Sequence, residues 1–187
     1  NIGGIANLTI VSSNNFNDLI SYDIGPGNCL LDEWTRKKSK NKFDKDGKLA
    51  EAGKTDKIIL NQAVENFNNI KKNNILSFDI KDFDLNFVRG LSLEDGLSTL
   101  TDFTVNIICE AIINANNLNR AVKLNVLLCG GGRKNLSLIN GIKNSFYVSP
   151  TFVILKQNIK ELIDFVVWAE KYRFTKEISL QVLEQPL

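Results

Sequence analysis

Residues 124–135 read LNVLLCGGGRKN, and the fold class turns on that stretch. Five of the six residues 124–129 are apolar. The run is too short for a helix, so a fully buried strand is expected. Gly130, Gly131 and Gly132 follow at once, and Arg133, Lys134 and Asn135 lead into LSLINGIKN, whose apolar spacing is helical. Three glycines let the backbone turn sharply and approach a ligand without interference from a Cβ. A helix beginning there points unpaired N–H groups and a partial positive charge at whatever sits above the strand. Two readings stand at this point: a nucleotide- or phosphate-sized opening, or a tight strand-to-helix turn with no ligand.

Working outward, the whole chain sets limits. Its 187 residues make one domain or a little more, enough to bury a core. A hydrophobic fraction of 43% and a charged fraction of 24% are those of an ordinary globular protein. The net charge of +2, with no stripe of Lys and Arg, argues against nucleic acid as the main partner. The short clusters Arg36-Lys37-Lys38 and Lys71-Lys72 read as solvated. No apolar run reaches membrane-spanning length and no signal peptide is visible, so a cytoplasmic protein without a membrane partner is expected. Cys29, Cys109 and Cys129 are widely spaced in apolar settings and read as reduced core thiols without metal-ligand spacing. The absence of histidine excludes every mechanism that needs a His base or a His metal ligand.

Towards the N-terminus, residues 5–12 (IANLTIVS) and 18–23 (DLISYD) have strand composition, and Gly3-Gly4 suits a tight hairpin whose amides could also lie against a phosphate. The opening Asn1-Ile2-Gly3-Gly4 leaves no preceding strand to hold these glycines, so the chain is expected to be the later part of a longer protein. Asp23-Ile24-Gly25-Pro26-Gly27-Asn28 then precedes the helical CLLDEWTRKK, a second strand–glycine–helix junction. Asp23 could reach a magnesium ion or a substrate hydroxyl, or could simply form a turn. Asn28 could cap the helix or hold a ligand.

Between the two junctions, residues 42–53 (KFDKDGKLAEAG) are turn-rich; the later ligand positions of a calcium loop are missing, and that motif is rejected. A helix is expected over 55–72, burying Ile58, Ile59, Ala63, Val64 and Phe67, with a mixed connection over 73–90. Ser92-Leu93-Glu94-Asp95 starts the longest helix, which runs to about Asn116 and buries Leu100, Phe103, Ile107, Ile108, Ala111 and Ile112. Thr101, Asp102 and Thr104 read as exposed or capping. Beyond the triplet come a short strand over 145–148, a helix over 157–174 and a tail, 175–187, with no clear assignment. Glu161 lies in the first turns of that helix, where it could face a cleft or solvent. Strands alternating with helices make an α/β layer fold, and two glycine junctions at strand ends would converge on one cleft.

Taken together, NIGGIANLT (1–9), DIGPGNCLLDEW (23–34), FDKDGKLAEAG (43–53), EDGLSTLTDFT (94–104) and LLCGGGRKN (127–135) stand in the order and at the spacing of the anhydro-N-acetylmuramic acid kinases, and the chain resembles the second half of such an enzyme. The resemblance implies an actin-like, ribonuclease-H-like lobe of the sugar kinase, heat-shock protein and actin superfamily: a mixed sheet flanked by helices, incomplete at its N-terminus. On this likeness residues 1–187 are the C-terminal lobe of a two-lobe kinase, with the N-terminal lobe absent from the chain. It implies phosphorylation of O6 of 1,6-anhydro-N-acetylmuramic acid by ATP with Mg2+, while water opens the anhydro bridge. The product is N-acetylmuramic acid 6-phosphate, in cell-wall recycling. Residue by residue, the resemblance gives Asp23 and Glu161 catalytic roles and assigns Gly3, Gly4, Gly130, Gly131, Gly132 and Asn135 to the nucleotide. It assigns Asn7, Gly25, Pro26, Gly27 and Asn28 to the sugar, and identifies no metal ligand. The family's water-activating aspartate and first phosphate loop belong to the earlier half. The implied partners are the anhydro-amino-sugar, the N-terminal lobe in the same or a separate chain, and a homodimeric mate.

A reading of a different class also stands: a truncated, catalytically inactive remnant that binds nucleotide weakly or not at all. It draws on the missing first strand and the drifted tail, and the Asn74-Ile75-Leu76-Ser77 stretch departs from the Pro-Pro-Lys-Ser that the resemblance implies. A dinucleotide-binding dehydrogenase domain fits poorly, because GGGRKN lacks the G-x-G-x-x-G spacing and no acidic residue follows at the right distance after a second strand.

Overall fold

A computed structural model describes residues 1–11, 16–71, 77–119, 125–146, 151–154 and 179–182. The chain divides into two compact units, Asn1–Ser145 and Phe146–Leu187. In the first, β1 (Ile5–Val11) and β2 (Leu19–Pro26) pair antiparallel, as the strand composition predicts, with β2 running on through Asp23 to Pro26. The register slips at Ala6/Asn7: Ala6 faces Gly25 and Asn7 faces Asp23, so Ile24 is an extra residue, and it is buried. Such a bulge bends its strand. Gly25 sits there at φ +148°, and a Cβ would lie 2.8 Å from Phe67 Cζ, so both the conformation and the space require glycine.

Helices α1 (Cys29–Lys38), α2 (Lys48–Ala52), α3 (Lys57–Lys71), α4 (Leu93–Asn119) and α5 (Leu136–Ser145) complete this unit. The 27-residue α4 is its axis and touches α1, α2, α3, α5 and β2. Ser92 Oγ accepts the Asp95 amide at 3.0 Å, the N-cap that the sequence predicts. Leu100, Phe103, Ile107, Ile108, Ala111 and Ile112 are all buried, as their spacing requires. Trp34 of α1 lies against Gly96, where a Cβ would overlap the indole, and its Nε1 donates to the Leu93 carbonyl at 3.1 Å. In the turn before α2, both Asp44 oxygens are occupied by amides, those of Leu49 and Ala50 at 2.9 Å.

Several expectations are corrected here. The apolar run before the glycine triplet forms no strand among the described residues 125–129, and Leu127 is 52% exposed. An apolar run becomes a buried strand only when neighbours pair its edges; here the main chain of the run is linked by Ile2 N–H to the Cys129 carbonyl, 2.7 Å. Cys129 is accordingly exposed, whereas Cys29 and Cys109 are buried. Ile58 is 74% exposed, because α3 begins only after Asp56, whose Oδ1 caps the Ile58 and Ile59 amides, and Ile58 falls on the solvent side of the first turn. Thr101 and Thr104 are buried rather than exposed, since α4 is covered on several sides. By length and composition α4 could also cross a bilayer, contrary to the expectation that no run would; most of that stretch is packed inside the fold, as in the core helix of a globular protein. Ser145 closes α5 instead of opening a strand.

In the second unit β3 (Thr151–Ile154) pairs in parallel with β4 (Ser179–Val182), Thr151 opposite Ser179 and Ile154 opposite Val182. β4 falls in the tail that sequence leaves unassigned. The helix expected over 157–174, Glu161 included, lies outside the described residues. Helices and strands together bear out the α/β class.

Candidate functional site

Three glycine turns meet at one residue that the sequence does not single out, Ile2. The Asn1 amine donates to the Asn7 carbonyl at 2.9 Å and the Asn7 amide returns to the Asn1 carbonyl at 3.0 Å, so Ile2 bridges Ala6 across a tight turn tipped by Gly3 and Gly4. The carbonyls of this turn reach the start of α1: Gly4 accepts the Gly27 and Cys29 amides at 2.9 and 3.1 Å, and Gly3 accepts the Asn28 amide at 2.8 Å. The Ile2 carbonyl accepts the Gly132 amide at 2.9 Å. The two glycine junctions therefore lie together, joined by main-chain bonds, although among the described residues only the first follows a strand.

The glycines at this meeting point differ in what holds them. A Cβ on Gly27 would overlap the Gly3 carbonyl, one on Gly130 would overlap Asn1 and the Ile2 carbonyl, and one on Gly132 would overlap the Ile2 side chain. Gly130 also has φ +88°. These three are glycines because the fold is tight. Gly131 is exposed, has no positive φ, and has nothing within 4 Å of a built Cβ. Gly4 has only Ile80 Cδ1, at 3.7 Å. Exposed Arg133 and Lys134 follow Gly132 in the same short turn and bring two cations into it. A main chain bared at Gly131, in a turn that also carries two cations, can receive an anionic or flat ligand at close range. The amides of Gly27, Asn28 and Cys29 at the entry to α1, by contrast, are already occupied by carbonyls.

Other expected site residues have partners of their own. Asp23 Oδ2 accepts the Phe78 amide at 3.0 Å and the Ser77 hydroxyl at 3.3 Å, so it anchors the segment entering the aromatic group of Phe67, Phe78 and Phe83. Asn7 lies opposite Asp23 in the hairpin. Pro26 and Gly27 are buried, and the Gly27 carbonyl accepts Thr104 Oγ1 at 3.3 Å. Asn135 is buried, and its Oδ1 accepts the Leu138 amide at 3.1 Å, capping α5. Ser137 Oγ donates to the Gly47 carbonyl at 2.7 Å, so the KFDKDG segment braces the same helix start. Sequence reasoning misses Ile2 and Thr104. Nothing marks Ile2, whose carbonyl does the work; Thr104 falls four residues after Leu100, and that spacing places it on the buried face of α4.

Among the described residues no three His, Cys, Asp or Glu lie close enough to hold a metal ion. A shallow depression of about 370 Å³ on the outer faces of α3 and α4, lined by Asn61, Val64, Glu65, Asn68, Asn69 and Asn106, includes none of the glycine-turn residues.

Comparison with known proteins gives the glycine turns a setting. A family model described as anhydro-N-acetylmuramic acid kinase matches residues 1–162. The chain is similar to the anhydro-N-acetylmuramic acid kinase of Pelagibacter ubique (strain HTCC1062), 58% identical over 143 residues, which are 76% of this chain and 38% of that protein. Proteins with the same description from Caulobacter vibrioides and Methylobacterium nodulans are 34% and 33% identical over 141 and 151 residues, covering 74% and 81% of this chain and 36% and 38% of theirs. The chain thus spans about two fifths of the length of the curated relatives it matches.

Proposed function

The chain belongs to the anhydro-N-acetylmuramic acid kinase family, and from that premise we propose that it supplies the nucleotide-side lobe of an ATP-dependent kinase acting on O6 of 1,6-anhydro-N-acetylmuramic acid. In this reading residues 1–187 are the C-terminal, actin-like lobe, and the lobe that completes the cleft lies in the remaining part of the family's length. The enzyme works in the cytoplasm, in cell-wall recycling. The observation that carries the reading is Gly131, a glycine that neither its backbone angle nor its packing demands, in a turn bonded through Ile2 to the other glycine junctions.

Phosphoryl transfer is mainly positioning and neutralisation of charge on the moving group. Groups held rigidly before reaction serve that end best. The main chain of Gly130, Gly131 and Gly132, with Arg133 and Lys134 beside it, would seat the nucleotide, and the Gly3–Gly4 tip would border its phosphates. Magnesium usually takes one or two carboxylates and relies on phosphate oxygens and water for the rest; the ion would neutralise the triphosphate. Asn7, Gly25, Pro26, Gly27 and Asn28 would line the sugar side. Asp23 would work from within β2 while holding residues 77–78, and Glu161 enters on the family likeness alone.

The test is Gly131→Val in the complete protein. Calorimetry should show ATP binding reduced at least tenfold while the melting temperature stays put. Unchanged ATP affinity would overturn the assignment. The inactive-remnant reading is decided by supplying ATP, magnesium and the anhydro-sugar to the complete protein: formation of the 6-phosphate rejects it.

A further inference from the structure

We propose that Asn28 is a positioning residue: its carboxamide nitrogen ties the glycine turn at the start of α1 to the turn that carries Gly131, so the shape of the nucleotide seat depends on a side chain that never touches the nucleotide. This rests on the function proposed above for what the seat binds, but not for the tie itself. Asn28 occupies the N-cap position of α1, where an Asn, Asp or Ser oxygen ordinarily accepts an amide of the first turn. Here no such bond exists. The chain entering α1 is held instead by the Gly3–Gly4 turn, whose carbonyls take the amides of Gly27, Asn28 and Cys29.

The carboxamide faces the other way. Nδ2 donates to the Gly3 carbonyl at 3.1 Å and to the Ile2 carbonyl at 3.3 Å. The same Ile2 carbonyl accepts the Gly132 amide at 2.9 Å, so one oxygen is shared between Asn28 and the glycine triplet. A Cβ on Gly132 would lie 3.2 Å from Asn28 Nδ2, which puts the two turns in contact. Both neighbours of the carboxamide are acceptors, so the position needs a donor. Asparagine has one and aspartate does not.

A helix cap and a donor tie make opposite predictions for one substitution. Aspartate caps as well as asparagine, so a capping role predicts that Asn28→Asp is neutral. A donor role predicts that Asn28→Asp is worse than Asn28→Ala, because it sets a carboxylate against two carbonyl oxygens. In the complete protein, amide hydrogen exchange of peptides covering 129–135 should speed up about tenfold or more in Asn28→Asp, less in Asn28→Ala, with α1 itself still protected. ATP affinity should fall in the same order. Wild-type exchange at 129–135 in Asn28→Asp would overturn the tie, and so would a change confined to the KM for the sugar. If the wild type binds no ATP, the kinase reading falls by itself, and the exchange at 129–135 alone decides the tie.

Discussion

At the scale of single residues, the glycine triplet separates two demands that sequence presents as one. Gly130 turns the chain at positive φ and Gly132 lets it press on Ile2, whereas Gly131 is under neither constraint. Overpacking of a tight contact typically costs about 1–3 kcal/mol, and a surface substitution away from such contacts stays within about 0.5 kcal/mol. Gly132→Ala should therefore lower the melting temperature by several degrees, and Gly131→Ala should leave it unchanged. Equal effects in thermal denaturation would contradict the distinction. The letters GGG hold no such difference, because it arises from what Ile2 does more than a hundred residues earlier in the chain.

At the scale of elements, helical periodicity was the most legible signal. The buried face of α4 and its Ser92 cap follow from spacing alone, because a helix carries its pattern locally. The apolar run before the triplet follows no such rule: whether it becomes a strand depends on neighbours it does not encode. Likewise, sequence assigns no partner to Asp95, yet its carboxylate ties α4 to the segment before α3. Oδ1 accepts the Lys54 amide at 2.8 Å, and that bond, with help from Ser92, holds the carboxyl below its ordinary range. The ionised form is the one favoured by folding. Its contribution is complete above the ordinary carboxylate value of about 4 and is lost as pH falls through the lower folded value. Asn in place of Asp95 should therefore melt lower than the wild type at pH 7, with the gap narrowing below about pH 4. A gap independent of pH would show that the charge is idle.

On the scale of the whole molecule, five short motifs were enough to indicate the family, although the fold that joins them was not visible in any one of them. Asn135, assigned to the nucleotide on the resemblance, turns out to cap the helix that follows the triplet, just as Asp44 of the rejected calcium loop caps α2, since a carboxylate or carboxamide serves an amide as readily as it serves a ligand. The cysteines report on the assembled fold. Burial pushes the Cys29 thiol up to about 11 and raises that of Cys109, while Cys129 is exposed. An alkylating reagent at pH 8 should modify Cys129 rapidly in the native protein and reach the other two only after denaturation. Modification of all three at equal rates would mean that the core around α1 and α4 is not formed.

The joint at Ile2 has one more consequence. Its links to Gly132 and Cys129 are peptide groups, which every amino acid but proline supplies in full. Mutation can exchange the side chain at position 2, or wear away the surrounding letters until kinship is hard to see, without erasing the oxygen that both turns hold. Among single substitutions, proline at position 132 would take away the nitrogen's hydrogen and open the joint directly. A lineage can thus drift far in spelling and still inherit this hinge of backbone intact.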